Sequence, residues 1–214
     1  MTIAFATFNT GKVREVSALL EPLGLTLVGP RDVGLDQLPE ETGETFLDNA
    51  VLKAVAVYRH CHLSAVADDS GLVVSALGGA PGVRSARFGG VEHDDEANIR
   101  ALLSALRGVT DRRARFVCTV AFVFDTAVFG VPGMQEHPLL PEGAGLWVTT
   151  GTVEGTIIDT PRGHDGFGYD PVFFREDLNR TFAELSQDEK NVLSHRGHAF
   201  GALREKLSAW ATKD

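Results

Sequence analysis

Ile3 to Thr7 is a short apolar run that stops at Phe8-Asn9-Thr10-Gly11, and the next apolar residues, Val13, Val16, Leu20 and Leu23, recur at helical spacing. Leu25 to Val28 then returns to strand-forming residues. A strand, a turn, a helix and a second strand in immediate succession form one crossover unit, which predicts an α/β fold.

The rest of the chain continues that alternation. Residues 29–44 are polar, carry Pro and Gly, and end in Glu40-Glu41-Thr42-Gly43-Glu44. A helix is predicted from about Thr45 to Arg59 with Leu47, Val51, Ala54 and Tyr58 as its core stripe, leaving Asn49 and Lys53 as an i,i+4 pair off that stripe. Ala65-Val66-Ala67 reads as a strand running into Asp68-Asp69-Ser70-Gly71, and Leu72 to Ala76 can continue it. After the loop 78–87 comes an Ala- and Leu-rich helix through Leu106, and Ala114 to Phe124 reads as a long central strand. Residues 130–147 resemble a mobile excursion between hairpin strands, Val148 to Ile158 returns as strand, and Phe200, Leu203, Leu207 and Trp210 mark a last helix. Without an internal repeat or a true linker, the 214 residues read as a single domain, 1–214, with two lobes around a cleft.

Charge narrows the partners. Twenty Lys and Arg stand against 29 Asp and Glu, a formal net charge of −9. A broad phosphate-backbone face needs the opposite balance, so no nucleic-acid partner is expected. A small anion is still compatible if a few cations converge or a divalent metal supplies positive charge. No apolar run reaches membrane-spanning length, and the first residues lack the basic flank of a signal peptide. Cys61 and Cys118 match no ligand or redox spacing, which suggests reduced thiols in a cytoplasmic protein. His60-Cys61-His62 reads as a helix end, because three successive residues of regular structure do not point at one ion.

Four islands carry chemistry. Thr7-Phe8-Asn9-Thr10-Gly11-Lys12 lies between strand and helix, where amide groups and the helix dipole favour an anion; alone it reads first as a capped turn with a surface lysine. Asp68-Asp69-Ser70-Gly71 puts at least one carboxylate at a strand end, and adjacent carboxylates call for a nearby cation. The acidic run Glu40, Glu41, Glu44 reads equally as a source of another metal ligand and as a solvated loop. Gly166-Phe167-Gly168-Tyr169-Asp170-Pro171 alternates glycine with aromatics, so backbone can approach a flat ligand, and Asp170 can accept from a ligand or orient a Lys or His. Ser186 to Glu189 is a capping box that places Lys190 on a short helix, with Ser194-His195-Arg196 near the next helix start as a set of donors.

Assembled, these islands resemble the inosine-triphosphate pyrophosphatase family, the dITP/XTP pyrophosphatases that clear non-standard purine nucleotides. The resemblance runs through Thr7–Lys12, Glu41–Lys53, Ala67–Leu72, Leu77–Gly82, Ser85–Arg87, Phe167–Pro171, Glu189-Lys190 and Ser194–Arg196, all in one order. It implies a mixed, twisted α/β sheet with flanking helices, two lobes around a nucleotide cleft, and a homodimer. The implied reaction is NTP plus water to NMP plus pyrophosphate, with Mg²⁺ and with Mn²⁺ as a possible substitute. In that scheme Asp69, Asp68 and Lys53 form the catalytic group, with Asp69 activating water. Asp69 and a carboxylate of Glu40 or Glu41 organise metal. Thr7, Phe8, Asn9, Thr10, Gly11, Lys12 and Lys53 hold the triphosphate. Ser70, Phe167, Gly168, Tyr169, Asp170, Lys190, His195 and Arg196 hold the nucleoside. The alternatives are a Maf-type pyrophosphatase with another base preference and a non-catalytic nucleotide sensor, the latter opposed by the intact Asp68-Asp69 pair with Lys53.

Overall fold

The structure, a computed structural model, describes residues 1–91, 94–130 and 133–211. In chain order the elements are β1 (Thr2–Phe5), α1 (Thr10–Leu20), β2 (Thr26–Val28), α2 (Phe46–Cys61), β3 (Ala65–Val74), α3 (Asp95–Ala105), β4 (Arg113–Asp125), the single turn α4 (Thr126–Phe129), β5 (Ala144–Ile157), β6 (Phe173–Arg175), β7 (Arg180–Thr181), α5 (Gln187–Leu193) and α6 (His195–Ala211). The seven strands form one sheet in the order β2-β1-β3-β4-β5-β6-β7. Pairing of β1 with β2 and with β3 is parallel, whereas β5 with β6 and β6 with β7 are antiparallel. This mixed α/β sheet, with β4 at its middle, is the predicted fold class.

The chain divides into two compact units, Met1–Asp69 with Cys118–Gly151 and Gly197–Asp214, and Ser70–Val117 with Thr152–Arg196. In the first, strand alternation sorts the core into two layers. Ile3, Phe5, Val66, Val120 and Phe122 pack with Val16 and Leu20 of α1 and Phe200, Leu203 and Leu207 of α6. Ala4, Ala6, Ala65, Ala67, Ala121 and Val123 pack with Ala50, Val51 and Ala54 of α2. Successive side chains on a strand point to opposite faces, so small residues meet α2 while large ones meet α1 and α6. The second unit has one core, built from Leu72, Val74, Phe116, Val153, Tyr169, Phe173 and Phe182 with Leu102 of α3.

Three expectations change. The Asp68-Asp69 pair does not lie at a strand end: β3 runs unbroken through Asp68-Asp69-Ser70-Gly71 to Val74, in line with the continuation read at Leu72. The α2 face carrying Asn49 and Lys53 is buried, at 0% and 6% exposure, because it covers β3 as the apolar stripe does. The 130–147 excursion ends earlier, since β5 already begins at Ala144. Val131 and Pro132 of that excursion lie outside the described residues. Its later part is anchored: Leu139 carbonyl accepts from Arg59 (3.0 Å), His137 Nε2 is 3.5 Å from Asp48 Oδ1, and Leu140 packs on the α2-side core.

Candidate active site

In the first unit, α1 starts where Asn9 caps it. Asn9 Oδ1 accepts from the Gly11 and Lys12 amides at 2.9 and 3.1 Å, and Asn9's own amide donates to Thr7 Oγ1. The capping side chain therefore takes two of the amides that an anion would use. The charge of this loop lies in the Lys12 side chain, whose Nζ is 3.0 Å from Asp68 Oδ2. Cys118 on β4 donates its thiol weakly to the same oxygen at 3.9 Å. Phe8 and Thr10 are exposed, with the Arg31 guanidinium over the Phe8 ring.

Asp69 belongs to the other layer. A capping box between Thr45 and Asp48 starts α2 and aligns Asn49 and Lys53 one turn apart. Asn49 Nδ2 donates to Asp69 Oδ2 at 3.0 Å. Lys53 Nζ donates to Glu41 Oε1 and to the Asp68 carbonyl (2.8 Å), and lies 3.8 Å from Asp69 Oδ1. Burial pushes the Asp69 carboxyl above the usual carboxylate range, and Glu41 adds to that, while Lys53, Asn49 and Lys12 pull the other way. Burial opposes the Lys53 ammonium, but Asp69, Glu41 and Asp68 outweigh it and raise its pKa. A carboxylate so placed is a competent proton acceptor, since catalytic bases work best with pKa values raised toward the operating pH.

Among the described residues, no group of three or more His, Cys, Asp or Glu is arranged to hold a metal. Mg²⁺ needs less than that, taking one or two carboxylates and completing its shell with water and phosphate oxygens. Asp69 and Glu41, drawn together on Lys53, with exposed Glu40 beside them, fit that sparse donor set. A buried carboxylate disfavoured as an anion is also one that a cation would relieve.

The second unit assembles the remaining residues. Gly166 has φ of +83°, and a Cβ there would sit 2.1 Å from Asp170 Oδ2, so only glycine lets this turn close. Asp170 Oδ2 accepts from the Phe167 amide (3.0 Å) and from Lys190 Nζ (2.7 Å). Both side chains of that ion pair are 6% exposed. Losing one partner of such a buried pair costs about 3–5 kcal/mol, because the other charge is left uncompensated. Lys190 Nζ and Arg196 Cζ lie 5.2 and 5.5 Å from the Phe167 ring centroid, and Arg196 Nη2 is 3.4 Å from Ser70 Oγ. Tyr169, by contrast, is a core residue: it is 3% exposed and its hydroxyl donates to the Ser85 carbonyl at 2.9 Å. Of the two aromatics, Phe167 is the one placed beside the cations.

Several supporting residues were not on the sequence-derived site. Phe116 stacks on the His195 ring (4.7 Å, 11°), Asp95 accepts from the Gly168 amide (2.7 Å), and Asn49 and Cys118 touch the two aspartates. Only Asn49 left a trace in sequence, as a polar residue one helical turn from Lys53. Phe116 and Cys118 look like ordinary strand residues.

A mixed α/β protein with a lysine-bracketed aspartate in one unit and a cation-flanked aromatic turn in the other has the parts of a nucleotide-handling enzyme. The chain belongs to the Ham1 family, whose model matches residues 3–206. It is 44% identical over 210 residues to a Bacillus anthracis protein named dITP/XTP pyrophosphatase, covering 97% of this chain and 96% of that one. A Bacillus subtilis (strain 168) protein of the same name is 43% identical over 206 residues, covering 95% of this chain and 96% of its own. The solved Staphylococcus aureus Ham1 protein superposes with a TM-score of 0.81 at 37% identity, covering 98% of this chain and 99% of that one. The Mycobacterium abscessus nucleoside-triphosphatase / dITP/XTP pyrophosphatase gives 0.72 at 41% identity, with 95% and 98% covered.

Proposed function

We propose that this chain hydrolyses non-standard purine nucleoside triphosphates, ITP, dITP and XTP, to the monophosphate and pyrophosphate. The observation that carries the reading is Asp69: a buried carboxylate held from two sides by Asn49 and Lys53, with Lys12 of α1 as a second cation paired to the adjacent Asp68. Its relatives named dITP/XTP pyrophosphatase support the same assignment.

A nucleotide has two chemically different ends, and the chain offers a group for each. The triphosphate falls to Lys12, Lys53 and the Thr7–Lys12 loop; the nucleoside falls to Ser70, Phe167–Asp170, Lys190, His195 and Arg196. Asp69 accepts a proton from water as its oxygen bonds to the α-phosphorus. The bond from that phosphorus to the β-bridging oxygen breaks, and pyrophosphate leaves with the electron pair. Asp69 with Glu40 or Glu41 would hold Mg²⁺, which would supply charge neutralisation and make the water more acidic. The lysines hold the polyanion in line, and positioning with charge stabilisation provides most of the acceleration in this class of chemistry.

Neither Cys61 nor Cys118 is in a disulfide, which suits a reducing cytoplasm, and no helix among the described residues is long and apolar enough to cross a membrane. A homodimer is the assembly we expect. The deciding experiment incubates the protein with ITP, XTP, GTP and ATP, with and without Mg²⁺, and identifies the phosphate products. Pyrophosphate with the monophosphate supports the proposal; stepwise orthophosphate release overturns it.

A further inference from the structure

Asn49 is fully buried, and both ends of its amide are used. Nδ2 donates to Asp69 Oδ2 at 3.0 Å, and Oδ1 accepts from the Gly43 amide at 2.8 Å. Gly43 belongs to the segment that carries Glu40 and Glu41. A Cβ on Gly43 would lie 2.6 Å from Asn49 Oδ1 and 2.6 Å from Asp48 Cβ, so the loop reaches α2 only because residue 43 has no side chain. One helical turn on, Lys53 repeats the pattern, reaching the same loop at Glu41 and the same strand at Asp69 and the Asp68 carbonyl. The two residues form a two-rung bracket between the acidic loop and β3, one rung charged and one neutral.

We propose that Asn49 is a positioning residue that sets the acidic loop and the Asp69 carboxylate in register for a divalent cation. The inference rests on the metal-dependent reading above. An amide suits the task better than a second lysine. Its donor fixes one Asp69 oxygen without adding charge, and its acceptor holds a backbone amide that is otherwise left unpaired. Groups that orient metal-binding side chains in this way contribute to affinity without touching the ion.

The test compares wild type, Asn49→Ala, Asn49→Leu and Gly43→Ala, with Asp69→Asn as reference. Circular dichroism first confirms folding, and Mn²⁺ alone is then titrated by electron paramagnetic resonance. Removing an orienting partner typically weakens metal binding or activity by about 10–100-fold, and that loss is expected for both Asn49 variants. Leucine keeps the branched heavy-atom skeleton of asparagine, although it is bulkier, and has no hydrogen-bonding atoms. With alanine it brackets the size of the side chain, so a role in filling space alone would be lost in at most one of the two variants. Gly43→Ala, which displaces the loop but keeps Asn49, is expected to weaken Mn²⁺ binding in the same direction, and it decides the matter if the Asn49 variants do not fold. Kinetically, kcat should fall with less change in nucleotide KM, because Asn49 lies on the metal and base side of the site. Folded variants that bind Mn²⁺ as wild type does overturn the proposal, as does Mn²⁺ binding that survives Asp69→Asn. A wild type that binds Mn²⁺ through Asp69 yet releases no pyrophosphate overturns the proposed reaction instead, and the Asn49 comparison is then decided on Mn²⁺ affinity alone.

Discussion

Asp68 and Asp69 are consecutive on β3 yet engage different lysines, Asp68 with Lys12 at 3.0 Å and Asp69 with Lys53 at 3.8 Å. Strand alternation sends Asp68 toward the layer of Cys118 and α1, and Asp69 toward α2. Two adjacent carboxylates thus avoid sharing one environment, and each obtains its own cation. In the proposed mechanism they have different work: Asp68 orders Lys12 on the triphosphate side, and Asp69 is the base.

That division is measurable. Asp69→Asn should lower kcat by about 10²–10⁴-fold, the usual contribution of a general base, with the far-ultraviolet spectrum unchanged. Asp68→Asn should retain clearly more turnover than Asp69→Asn and should act mainly on nucleotide KM, through Lys12. Equal kcat losses in the two variants would show that the aspartates act as one unit.

Activity should vanish in chelator and return with Mg²⁺ or Mn²⁺, since the carboxylates and lysines alone leave the triphosphate charge incompletely neutralised. Full turnover after exhaustive chelation and dialysis would remove the metal from the scheme.

Base choice should follow hydrogen-bond polarity. Lys190 and Arg196 beside Phe167, with His195 next in sequence to Arg196, present donors that suit a 6-carbonyl. ITP, dITP and XTP should therefore exceed ATP in kcat/KM by a large factor, because the 6-amino group meets donors with a donor. Comparable kcat/KM for ITP and ATP would defeat carbonyl reading even with pyrophosphate as product.

Acid should loosen the segment that carries Lys190. Glu189 is held well below the usual range, at about 2, first by Arg180 and then by the Ser186 amide. A depressed carboxylate stabilises the fold above its unfolded value of about 4.3, and that contribution is lost as pH falls toward the folded value. Glu189→Gln should accordingly show a shallower fall in denaturation midpoint than wild type as pH drops through that window. Parallel curves would mean the Arg180–Glu189 pair adds nothing to stability.

Much of the fold was legible before the structure. The β1-α1-β2 opening, the long β4, the capping box before Lys190 and the last helix with Phe200, Leu203 and Leu207 all follow from local periodicity and turn chemistry. The continuity of β3 was less so, because Asp-Asp-Ser-Gly has the composition of a turn. It remains strand because both carboxylates find cations, which offset part of the desolvation that would otherwise expel them.

The sequence by itself determined the elements, their α/β class and the islands where charged and glycine-rich residues gather, since these depend on spacing along the chain. Only the tertiary structure decided that Asp68 and Asp69 part company, that Tyr169 is a core residue while Phe167 lies beside Lys190 and Arg196, and that Asn49 joins Gly43 to Asp69. Those outcomes depend on which face of a strand or helix meets which neighbour, and contacts across 20 or more residues of chain, such as Asn49 with Asp69, are set by packing rather than by local propensity.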